Sequence, residues 1–165
     1  MPEPGPKPEP GKPPLATGFA PFWDFAARLW TDPVARERLM RWQDEFGVDV
    51  MLALFALWYP QPLRPSQWRV LRQTARRWQS SSTERLRALR RRLHTPERNA
   101  LYRAVLALEL QSERLAGLQL LAEARHLAPQ TTPAFAIDPQ RRLRTLFPDL
   151  PDAEIRDGLR EFMAA

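Results

Sequence analysis

Apolar positions recur every three or four residues from Phe22 to Phe162, interrupted by prolines and by Asp-Pro pairs. Phe22, Phe25, Ala26, Leu29 and Trp30 stand at i, i+3, i+4, i+7 and i+8, the spacing of one helix face, with Pro21 near its start. Asp32 and Pro33 mark a second start: an N-cap, then a residue whose missing amide and fixed φ suit the first turn. Ala35, Leu39, Trp42 and Phe46 form its stripe, and Gly47 fits the left-handed position that ends it. Asp49 then precedes the run Val50 to Tyr59, which is apolar all round. This predicts a helix at the buried centre of the fold with Asp49 as its N-cap.

Prolines 60, 62 and 65 deny further helix. Trp68, Leu71, Ala75, Trp78, Ser82, Leu86, Leu89 and Leu93 follow in steps of three or four without a phase jump, so one long helix is expected, kinked at Ser80 to Ser82. Thr95-Pro96-Glu97 has the cap, proline and acid of another start, and that helix runs to about His126. Asp138-Pro139 opens a short helix and Pro151 a last one, with Ile155, Leu159 and Phe162 inward. No segment alternates with period two. The expected fold is all-α, a single bundle of about six or seven helices. Residues 1–19 form a disordered proline-rich tail, 20–165 one helical domain, and 138–163 its C-terminal extension.

Composition narrows the chemistry. The chain has no cysteine, which excludes disulfides, thiolate zinc sites and thiol nucleophiles, and only two histidines, His94 and His126. Its proline-dense start lacks the apolar segment of a secretory signal, and Val50 to Tyr59 is half of the roughly 20 residues that a bilayer span needs. A soluble, cytoplasmic protein without membrane contact is expected. Net charge is +6, but Arg64 to Arg98 holds eleven arginines against Glu84 and Glu97, so this stretch carries +9 and the remainder −3. Arg69, Arg72, Arg76, Arg77, Arg91 and Arg92 would then offer a surface to an anionic partner, although a basic run is also what a solvated helix face looks like.

Polar residues inside apolar stripes are the candidates for a site. On the helix after Pro96, Tyr102, Leu106, Glu109, Glu113, Ala116 and Leu120 recur at helical spacing, so two glutamates fall within an apolar face. A buried carboxylate costs several kcal/mol unless a cation compensates it. Arg90, between Leu86 and Leu93, and Arg87 can supply that cation. Gln43 lies between Leu39 and Phe46 in the same way. A polar cluster is therefore expected from Gln43, Asp44, Asp49, Arg87, Arg90, Glu109 and Glu113, read first as a register-setting network and second as a ligand or catalytic pocket. Glu123 and His126 have the Glu-x-x-His spacing of di-iron bundles, but no second such pair exists. Phosphate loops, nucleophile elbows and zinc-protease motifs are missing from the sequence, and no cofactor is implied.

Four blocks in order carry a family resemblance: FWDFAARLW from Phe22, LMRWQDEFGVDVMLALFALW from Leu39, LRALR from Leu86 and ELQSER from Glu109. Over about residues 20–125 the chain resembles the uncharacterised proteobacterial family catalogued as domain-of-unknown-function family 2390. That resemblance implies a small all-helical cytoplasmic protein and brings no activity, substrate or cofactor. The family's Asp-Val-Asn reads Asp49-Val50-Met51 here, which argues against a catalytic centre at this spot. The leading reading is a non-enzymatic interaction protein whose arginine-rich helix meets a protein or RNA. The alternative is a small-molecule pocket or enzyme built on Glu109 and Glu113, which requires an open cavity reaching those carboxylates.

Overall fold

The computed structural model describes residues 18–95, 98–128 and 138–165. Among these residues there are eight α-helical segments, one π-helical turn and no strand: α1 (Phe19–Thr31), α2 (Pro33–Phe46), α3 (Val50–Trp58), α4 (Pro65–Trp78), the π turn (Gln79–Thr83), α5 (Glu84–Arg92), α6 (Asn99–Leu127), α7 (Pro139–Leu146) and α8 (Asp152–Ala164). The fold is all-α. The tail expected over residues 1–19 lies outside the described residues up to 17; Phe19 already opens α1, its ring stacked on Trp23 at 5.9 Å. Pro96 and Glu97 of the expected cap also lie outside them.

The caps form where short polar side chains precede apolar runs. Asp32 accepts from the Ala35 amide at 2.8 Å, Asp49 from that of Leu52 at 3.0 Å and Asp138 from that of Arg141 at 3.2 Å, each satisfying an amide that has no intrahelical partner. Gly47 ends α2 at φ 64°, a conformation that a Cβ would disfavour.

α3 is the buried centre that its uniform apolarity predicts. Leu52 to Ala56 are all buried, and α1, α2, α4, α6 and α7 surround them. Phe55 meets the edge of Phe22 at 5.4 Å between centroids and stacks on Tyr59 at 5.1 Å. Two groups close the C-terminal side. The buried guanidinium of Arg142 donates to the carbonyls of Ala56, Tyr59 and Gln61 at 2.9, 2.6 and 2.9 Å, covering the end of α3, and lies 4.8 Å from the Trp68 ring centre. Burial pushes its pKa down to about 10, so it stays charged at neutral pH. Arg38 of α2 reaches Glu154 at 2.6 Å and Glu161 at 2.7 Å on α8, and its pKa is raised, first by the hydrogen bond to Glu161.

The long helix departs from its expected phase. Ser80 and Ser81 hydroxyls donate to the Arg77 and Trp78 carbonyls at 3.2 Å and so compete with the helical ladder. One turn widens, the Glu84 amide donating to Gln79 five residues back. The inward sequence Leu71, Ala75, Trp78 therefore continues at Thr83, Arg87 and Arg90 instead of Ser82, Leu86 and Leu89. Leu89 is 44% exposed, and α5 buries none of its residues. An unbroken phase was the wrong expectation because alternate steps of three and four cannot register one extra residue. Trp30, expected on the buried face of α1, is likewise 42% exposed.

Candidate functional site

The shifted phase of α5 turns two arginines onto α6. Arg87 Nε donates to Glu109 Oε1 at 3.1 Å and its Nη2 to Glu113 Oε1 at 3.0 Å, while Arg90 Nε donates to Glu109 Oε2 at 2.6 Å. Glu109 is 7% exposed and has both oxygens engaged. Glu113 uses one oxygen for Arg87. Burial raises its pKa despite that bond, and burial likewise raises that of Asp49, which caps α3 beside the same cluster. Hydrogen bonds to Glu109 and then Tyr102 raise that of Arg90. One turn back, Trp78 Nε1 donates to the Ser112 carbonyl at 2.9 Å, and the Thr83 and Ser112 hydroxyls share a bond of 3.1 Å. These bonds pin the π turn to α6.

The network is not sealed. Asp49, Arg87, Arg90, Glu109 and Glu113 line one end of a cavity of about 820 Å³ between α1, α3, α5 and α6. Trp23, Trp30, Met51, Leu54, Leu106 and Leu110 form its apolar walls, with Arg91 and Arg103 also lining it. Trp30 and Leu106 keep 42% and 45% of their surface exposed, so the cavity opens to water at their side. The lining holds three carboxylates, Asp49, Glu109 and Glu113, and four guanidiniums, those of Arg87, Arg90, Arg91 and Arg103, a formal balance of +1. A second cavity of about 350 Å³ adjoins it, sharing Asp49, Ala75 and Gln79, and is lined also by Gly47, Arg72, Arg76, Ser80 and Glu84.

Four of the seven expected cluster residues, Arg87, Arg90, Glu109 and Glu113, are joined by hydrogen bonds; Asp49 stands beside them as the cap of α3, and Gln43 and Asp44 stay out of the network. Gln43 is half-buried and lines the main cavity, where its side chain has no hydrogen-bond partner among the described residues. It is a wall residue, not a network member. Asp44 is exposed: one residue past Gln43 rotates the side chain by 100°, off the inward face of α2 and into water. The arginine surface is divided in the same way. Arg69, Arg76, Arg77, Arg91 and Arg92 are exposed, but Arg72 is half-buried in the smaller cavity with Arg76, and Arg91 belongs to the main one. Burial and then the neighbouring Arg76 lower the pKa of Arg72.

Sequence reasoning missed Ser112, Thr83 and Arg142. Ser112 was legible, standing three residues from Glu109 on the same face; Arg142 was not, because Arg141 and Arg144 beside it look alike and only tertiary packing selects one. Among the described residues no three His, Asp or Glu side chains converge to hold a metal ion, and no helix is long and apolar enough to cross a membrane.

Fold and site together define an all-helical bundle with a water-open cavity ending in a carboxylate–arginine network. The chain belongs to the family described as a protein of unknown function, DUF2390, whose model matches residues 21–121. The match spans α1 through most of α6, and so includes every residue of the network and leaves α7 and α8 outside. No curated protein and no solved structure matches the chain.

Proposed function

We propose that this protein binds a small molecule with an apolar body and a basic head in the main cavity. The observation that carries the reading is the half-used carboxylate of Glu113 in an apolar-walled cavity. Its volume of about 820 Å³ falls in the range of small-molecule sites, and its walls are tryptophan, methionine and leucine around Glu113. Glu113 keeps one oxygen free of any donor among the described residues and has its charge disfavoured by burial. An ammonium group placed there would complete that carboxylate's hydrogen bonding and offset the burial of its charge. The arrangement suits binding better than catalysis, since both oxygens of Glu109, the most buried acid, are already held by arginines.

Thermal shift and calorimetry with octylamine, octanol and octanoate test this reading. Octylamine is expected to raise Tm and octanoate to leave it unchanged. Glu113→Gln should weaken octylamine binding by about tenfold, the loss of one charge-assisted hydrogen bond. Binding of octanoate as tight as that of octylamine, or no shift with any of the three, rejects it.

The anionic-partner reading rests on α4, where Arg69, Arg72 and Arg76 share one face at i, i+3 and i+7. Retention on RNA that falls steeply between low and moderate salt supports it; no retention even at low salt removes it.

A further inference from the structure

α6 carries more exposed leucine than an isolated helix face needs. Leu101, Leu108, Leu115 and Leu118 are 58, 56, 48 and 42% exposed, and with Ala104 and Gln111, also exposed, they form one row in alternating steps of three and four. The row continues to the exposed Ala122. Leu106 and Leu110, though exposed, are not part of it, because they line the main cavity. A repeat of 3.5 residues kept over three heptads is the seam of a coiled coil, and its complement is a second helix with a seam of the same period.

We infer that this row is the contact surface for a second copy of this chain, pairing α6 with α6. Three observations choose that occupant. Partner selection between different helices relies on opposite charges flanking the seam, and the flanks here are almost uncharged. Val105, Ser112 and Leu121 are buried, Ala107 and Gln119 are neutral, and Arg114 is engaged elsewhere, its guanidinium lying 5.0 Å from the Trp23 ring centre and 6.0 Å from that of Phe19. Gln111 interrupts the leucines near the middle of the row. A single polar residue inside a seam is best satisfied by its own copy, where each amide both donates and accepts, and it fixes the register in which that happens. Finally, residues 101–122 run for about 33 Å at 1.5 Å per residue. A paired face of that length hides on the order of 600 Å² on each copy, about 1,200 Å² in all, which reaches the lower end of specific interfaces. The inference does not rest on the cavity: no residue of the row lines it, and only the flanking Ala107 does.

Light scattering and sedimentation equilibrium on the full chain decide it. The expected result is a concentration-dependent mass that approaches twice the 19.2 kDa of one chain. The double variant Leu108→Glu, Leu115→Glu should weaken association at least a hundredfold. Its circular dichroism and melting under monomeric conditions should match the parent, because both positions are exposed in the single chain. Gln111→Leu, which removes the polar interruption, should tighten association or shift it to a larger species. A parent chain that stays at 19.2 kDa up to a concentration of about 1 mM, the affinity limit of a weak specific contact, overturns the inference. So does a dimer whose mass is unaffected by the double variant.

Discussion

At the scale of single residues, acids two turns of argument apart in the sequence reading differ in what they do. Glu109 bonds two guanidiniums at once, so Glu109→Ala leaves Arg90 without its carboxylate and Arg87 with Glu113 alone. Their side chains are 28 and 23% exposed and keep some water, which places the loss at about 2 to 4 kcal/mol, under the 3 to 5 of a fully buried pair. Asp49→Ala removes one cap bond and should cost about 1 kcal/mol. Urea unfolding of the two variants measures both, and equal losses would contradict the ranking. Glu113 behaves in the opposite sense. Burial raises its pKa above the ordinary 4.5, so between that value and its raised one the folded chain binds more protons than the unfolded chain, and stability falls as pH rises through the window. Glu113→Gln escapes this. Its melting temperature relative to the parent should climb as pH is raised from 4 toward neutrality and level off once the parent's carboxyl is ionised.

At the scale of elements, the π turn decides which residues meet. Two of its flanking contacts, Trp78 and Thr83 with Ser112, fix it on α6, and it sets the rotation of everything downstream in α5. Deleting Ser81 should restore regular helix and rotate α5 by about 100°, carrying Arg87 and Arg90 away from Glu109. The expected outcome is a chain with unchanged helical circular dichroism whose stability no longer responds to Glu109→Ala. A Glu109→Ala loss of the original size in the deletion background would show that the turn is incidental. The helix starts were readable, since Asp32, Asp49 and Asp138 are caps by local chemistry alone. The extra residue was not, because a step of five looks like ordinary sequence noise when leucines happen to stand at 86 and 89. A close approach tells the same story on α8, where a Cβ on Gly158 would come within 2.4 Å of Trp42, a proximity that no local pattern encodes.

At the scale of the whole molecule, the pairing of Glu109 and Glu113 with Arg87 and Arg90 was legible because a charge in an apolar stripe demands a partner, and few cations were placed to supply one. That the same cluster opens on a cavity was not legible. Cavities come from the space between α1, α3, α5 and α6, and periodicity ranks positions as inward without saying whether the inside is filled. Trp30 and Leu106 show the difference: both have inward spacing, and both stand at the wall of an open space.

The stopper that Arg142 sets on the end of α3 also governs when the chain can become native. The carbonyl of Ala56 waits for a donor 86 residues later, and Arg38 for a carboxylate 123 residues later. On a ribosome the most apolar helix is made well before α7, which completes its covering. Until α7 has emerged, α3 has a bare face and unanswered carbonyls, and until α8 has, Arg38 lacks its carboxylates. Completion of the fold therefore waits on those later segments, and a nascent chain that has reached only α6 depends on whatever shields apolar surface in the meantime.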